Sequence, residues 1–158
     1  MGKLNYLVIH CTATRAGEDV TQDQIRSWHT APPPVGRGWK QVGYTDLFHL
    51  DGSIERMVEN NEDDNVDPWE ITNGVAGINS TSLHIVYAGG LDLNLKPTDT
   101  RTPQQKEALR RYVLEFVTRF KSVRVCGHYQ FAPKDCPCFD VPLWLRSIGV
   151  PNKNIFTR

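Results

Sequence analysis

Gly127 to Asp140 sets an imidazole, His128, and a thiol, Cys136, eight positions apart in a loop that also carries Pro133 and Pro137. Prolines restrict the unfolded loop, so less entropy is lost when it closes around an ion. The pair alone is loosely spaced for a metal, because compact zinc patterns keep ligands roughly two to five residues apart within each half of the site. Taken singly, His10 reads as a hydrogen-bonded core histidine, His128 as a loop histidine, and Cys136 and Cys138 as small buried hydrophobes.

The elements that must position these groups are legible in the pattern. Leu4 to Cys11 is apolar and β-prone, bounded by Gly2-Lys3 and Thr12-Ala13-Thr14, and reads as a buried strand ending at His10. Val123 to Cys126 is a second short β-prone run, and beyond Gly127 it delivers His128 in the same way. Two histidines at strand ends point to a site there. Cys11 follows His10 in an extended strand, so the two side chains take opposite faces, and Cys11, like Cys126, is expected in the core.

Ser82 to Ala88, rich in β-branched and aromatic residues and closed by Gly89-Gly90, reads as a central strand carrying His84. Leu47–Leu50 and Ile54–Val58 flank Asp51-Gly52-Ser53 as a hairpin, with Tyr44 just before it. Thr21 to Gln24 forms a capping box with Val20 and Ile25 as its staple, predicting a short helix through Trp28 that Pro32-Pro33-Pro34 stops. Thr102 to Gln105 is another capping box with Pro103 at the first helical position. Leu109, Tyr112, Val113, Phe116, Val117 and Phe120 follow it at helical spacing.

From Glu59 to Asp67 five of nine residues are acidic and three are Asn, which predicts a solvated loop. The chain's 158 residues suit one domain, taken as 1–158. Eighteen basic residues cancel eighteen acidic ones, so no global field draws the chain to nucleic acid or to an anionic membrane. The N-terminal apolar run is too short for a signal sequence, and no stretch approaches the ~20 apolar residues of a membrane span. A cytoplasmic product is expected, with its four cysteines reduced and available for metal binding or burial.

Several segments together resemble the type 2 amidase family, shared by phage lysozyme-like zinc amidases and peptidoglycan recognition proteins. They are Val8 to Thr14, Ile25 to His29, Val42-Gly43-Tyr44, Asp51-Gly52, the Ser82 strand with Gly89-Gly90, and Ala132 to Pro137 with Phe139-Asp140. The resemblance spans nearly the whole chain. It implies an α/β fold with a central mixed β-sheet flanked by helices and a groove at the strand ends. It also implies zinc held by His10, His128 and Cys136, with Tyr44 and Lys134 assisting hydrolysis of the amide between N-acetylmuramic acid and L-alanine in peptidoglycan.

Three protein ligands leave a tetrahedral zinc one open position, the mark of a catalytic site. A monomer acting on the cell wall after release or export, as a phage or prophage endolysin does, is the expectation. The alternatives are a peptidoglycan-binding module without chemistry and a regulatory domain using the acidic stretch as its contact surface.

Three positions depart from the family. Thr45 stands where phage relatives often carry histidine, Asn73 to Asn79 lacks the histidine that often precedes the Gly-x-Asn turn, and His84 replaces a glycine. His84 is expected to pack beneath the cleft. Cys138, close to Cys136, is the residue that could close the metal site as a fourth ligand.

Overall fold

The computed structural model describes residues 2–157. The chain opens with β1 (Gly2–Lys3), β2 (Tyr6–Cys11) and β3 (Thr14–Arg15), followed by α1 (Gln22–Thr30). The hairpin strands β4 (Asp46–Phe48) and β5 (Ile54–Arg56) come next, then β6 (Asn65–Val66), β7 (Ser82–Tyr87) and β8 (Gly90–Leu91). The last third holds α2 (Pro103–Arg119), β9 (Arg124–Gly127) and α3 (Val141–Ser147).

The central sheet has the order β5-β4-β7-β2-β9. Its inner pairings are parallel and β5 alone runs antiparallel at the edge, so the sheet is mixed. Val8 pairs with both His84 and Cys126, which lines up the C-terminal ends of β2, β7 and β9 along one rim. Open parallel sheets characteristically bind ligands outside such a rim.

The period of two in each strand sorts the core into layers. Leu7, Ile9, Cys11, Ile85, Tyr87 and Val125 face α2 and α3, packing with Leu109, Val113, Val141 and Leu145. On the other face Leu47 and Val86 meet Ile25 of α1, while Val8 and Cys126 meet Val75. His10 and Cys11 therefore part to opposite faces, as strand alternation requires.

Both capping boxes form. The Thr21 hydroxyl accepts the Gln24 N–H at 3.1 Å and Thr102 accepts that of Gln105 at 3.0 Å, each answered by the Gln side chain. Gln105 is fully buried and its amide donates to the carbonyls of Phe48 and Ala88, which pins the start of α2 to the ends of β4 and β7. α3 was not foreseen in the pattern; Asp140 caps it by accepting the Leu143 N–H at 3.0 Å.

The acidic stretch is more ordered than its composition implies. Asn65–Val66 pairs with Gly2–Lys3, and Val66 is buried. The buried Glu70 carboxylate accepts the backbone N–H groups of Asn61 and Asp67 at 2.9 and 2.8 Å. Most of the stretch is exposed, as a solvated loop requires, while a carboxylate from outside it satisfies its backbone.

Candidate metal centre

β2 carries His10 at the rim, β9 runs directly into His128, and the following loop folds back to bring in Cys136. The loop is held by the Tyr129 N–H, which donates to the Cys136 carbonyl at 2.9 Å, and by the Tyr87 hydroxyl on the Pro137 carbonyl at 2.6 Å. Among the described residues, His10, His128 and Cys136 form the one cluster of this kind, their ligand atoms all within 4.8 Å of one another. His10 Nδ1 and Cys136 Sγ lie 3.8 Å apart. Zinc bonds of ~2.0 Å to nitrogen and ~2.3 Å to sulfur at a tetrahedral angle would put two such atoms about 3.6 Å apart. The donor set therefore fits zinc.

Burial prepares the donors. It holds His10 well below the ordinary imidazole pKa, with His84, His128 and His29 adding to the effect. Burial, then the nearby Lys134 charge, lowers His128 to about 4. Both rings are neutral at pH 7, the form that ligates metal. The Cys136 sulfur accepts the Cys11 backbone N–H at 3.2 Å, a contact that fixes its position beside His10.

Tyr44 turns its ring toward the cluster, its centroid 5.1 Å from that of His10 and 5.2 Å from that of His29. Burial, then the Cys136 and Cys11 sulfurs, push its phenol up, so it remains a hydrogen-bond donor. Lys134 is exposed and shares with Tyr44, His128 and Cys136 a cleft of about 510 Å³. Trp28, Arg37, Trp39 and Phe131 also line this cleft. The Arg37 guanidinium lies 5.2 Å from the centre of the Trp39 ring.

Cys138 is not the fourth donor. Its sulfur sits 3.8 Å from that of Cys11, turned toward the core. His84 does more than pack: fully buried, it places Nδ1 2.8 Å from His10 Nε2 and Nε2 2.9 Å from Asn79 Oδ1. Burial, then His128, lowers its pKa to about 3. Thr45 is buried and its hydroxyl has no hydrogen-bond partner among the described residues.

Two contributors escaped the sequence reading. His29 Nδ1 accepts the Gly43 N–H at 2.9 Å beneath Tyr44, and Asn79 holds His84. His29 carried a signal only as part of the matched Ile25 to His29 segment, and Asn79 only as the end of a Gly-x-Asn turn.

The N-acetylmuramoyl-L-alanine amidase family model matches residues 1–139. The chain is 34% identical over 138 residues to an endolysin of Klebsiella phage KP32, across 87% of this chain and 83% of that one. The amidase LysC from Clostridium intestinale URNW shares the fold with a TM-score of 0.71 and 21% identity, covering 95% of this chain and 88% of that chain. Peptidoglycan recognition protein-LE, solved with tracheal cytotoxin, shares it at a TM-score of 0.62 and 22% identity, over 87% and 75% of the two chains. With these matches added to the cleft and its donor cluster, the chain belongs to the N-acetylmuramoyl-L-alanine amidase family and is an amidase of that class.

Proposed function

We propose that this amidase is zinc-dependent and acts on bacterial peptidoglycan in the manner of a phage endolysin. His10, His128 and Cys136 hold the metal, and Tyr44 and Lys134 are the catalytic side chains. The observation that carries the reading is the convergence of two imidazoles and one sulfur within 4.8 Å, with His128 and Cys136 lining the cleft and His10 buried behind them. A module that only bound peptidoglycan would need the groove but not the third donor.

Bound zinc supplies Lewis acidity and makes water a competent nucleophile at neutral pH. The protein supplies the rest. His10 and His128 offer lone pairs, and the Cys11 N–H orients the Cys136 sulfur. As water adds to the lactyl carbonyl carbon, negative charge grows on the carbonyl oxygen. The Lys134 ammonium and the Tyr44 hydroxyl offset that charge, each contributing on the order of 3 kcal/mol. The carbon–nitrogen bond then breaks, and the L-alanine amine leaves carrying the proton that the attacking water gave up. Trp28, Trp39 and Phe131 give the cleft apolar walls suited to a glycan strand and its stem peptide.

The whole of 1–158 works as one monomeric catalytic domain. The segment beyond the matched residues supports this by packing on the sheet, where Phe156 N–H donates to Val125 O and Asn154 to Val123 O. No described helix is long and apolar enough to cross a membrane. The protein reaches the wall after release or export.

The test is digestion of purified peptidoglycan with and without a chelator, the released ends being identified by mass spectrometry. New L-alanine amino ends without new reducing sugars, lost on chelation and restored by zinc, are expected. New reducing ends, or release indifferent to chelation, would contradict the proposal.

A further inference from the structure

Val75, Asn79, His84 and His10 form a hydrogen-bond chain with a fixed direction. The Val75 N–H donates to Asn79 Oδ1 at 2.8 Å, which identifies that amide atom as the oxygen, since an N–H group cannot donate to an NH2. The same oxygen is 2.9 Å from His84 Nε2, so Nε2 must carry hydrogen. His84 is fully buried, and its charged form would stand desolvated among other imidazoles, so the ring is neutral with one proton. Its Nδ1 is therefore bare and can only accept. The partner 2.8 Å away is His10 Nε2, which must then be the protonated nitrogen of His10. The bare atom of His10 is Nδ1, the one that faces Cys136 Sγ.

We propose that His84 and Asn79 are positioning residues that hold His10 in its Nε2–H tautomer and thereby present Nδ1 to the metal. The inference rests on the reading of His10 as a zinc ligand. Metal-binding histidines usually donate their second nitrogen to a carboxylate, a carbonyl or water; here another imidazole takes that role, itself oriented by an amide.

The local structure is built for this arrangement. The pairing of Val8 with His84 puts the rings of His10 and His84 on one face of adjacent strands, two positions apart. A Cβ at Gly74 would come 2.3 Å from His84 Nδ1, so the absence of a side chain at 74 is what admits the ring. Gly74 and His84 lie in two of the segments that depart from the family pattern, and the structure makes them a fitted pair.

The test combines imidazole nitrogen NMR, which distinguishes tautomers, with zinc affinity measured by chelator competition. Wild type, H84Q and H84L are compared zinc-loaded and after chelation, with thermal melts to verify folding. In the chelated wild type, His10 is expected to carry its proton on Nε2. H84L, which has no acceptor, should lose that preference and bind zinc about tenfold to hundredfold more weakly. H84Q, whose side chain can accept from His10 and donate to Asn79, should restore both.

A His10 proton on Nδ1 in the chelated wild type overturns the proposal, as does a folded H84L that keeps zinc affinity within about twofold. Should H84L fail to fold, the tautomers of wild type and H84Q decide. A wild type that binds no zinc would defeat the metal reading alone, and the chelated tautomer would still judge the chain from Asn79 to His10.

Discussion

The Tyr87 hydroxyl donates a 2.6 Å hydrogen bond to the carbonyl of Pro137, tying the middle of the sheet to the residue beside Cys136. Both residues are buried, so Y87F leaves a carbonyl without water or donor. Urea denaturation should show a loss of about 1–3 kcal/mol, and zinc should dissociate faster because the loop is released.

Removing the sulfur donor should remove the metal. C136A is expected to hold less than one equivalent of zinc by elemental analysis and to lose wall hydrolysis. C138A should keep zinc and activity, because that sulfur faces Cys11 at 3.8 Å and not the cluster.

Lys134 and Tyr44 are expected to act on kcat more than on KM. K134M should lower kcat by about 10²–10³-fold and Y44F by a similar or smaller factor, since each removes a group that meets charge formed in the transition state. Steady-state kinetics on soluble peptidoglycan fragments separate the two parameters. An effect confined to KM would make either residue a binding group.

His49 supplies a pH signature remote from the cleft. Burial opposes its charge, but hydrogen bonds to Glu55 and Asp19, each at 3.0 Å, outweigh that and raise its pKa above 6.5. Its stabilising effect is full below 6.5 and fades as pH rises through the raised folded value. Glu55, lowered from 4.5 chiefly by the His49 hydrogen bond, contributes above 4.5 and loses that contribution as pH falls through its folded value. The destabilisation of H49Q should therefore be largest between 4.5 and 6.5 and shrink at alkaline pH. Its size should be about 0.5 kcal/mol because both carboxylates reach solvent. Melting curves across pH measure it.

α2 anchors the face behind the site. T102A should cost about 1 kcal/mol through the lost cap, and L109A about 2–5 kcal/mol through the cavity left in a fully buried position. Neither should change KM, because neither residue lines the cleft.

Local pattern carried much of the architecture. The apolar, β-prone runs Leu4 to Cys11 and Ser82 to Ala88 and the two Thr capping boxes state their structure within a few residues, because strand propensity and helix-end hydrogen bonds are short-range properties. α3 was missed since its Asp140 cap precedes only a 7-residue helix, too short for a periodic signal. The acidic stretch is solvated as its composition implies, but its order is not legible there because it comes from Glu70 and from Gly2–Lys3, which lie outside it.

The sequence by itself determined the donor types, the strand ends that carry His10 and His128, and the family resemblance that singled out Cys136. Only the tertiary structure decided that these donors meet, that Cys138 turns away toward Cys11, and that His84 grips His10 from below. Those outcomes depend on parallel register, which joins His10 to a histidine 74 positions away and to a thiol 126 positions away. Spacing along a chain holds no record of such contacts; they arise when β2, β7 and β9 align their ends and Gly74 leaves room for a ring.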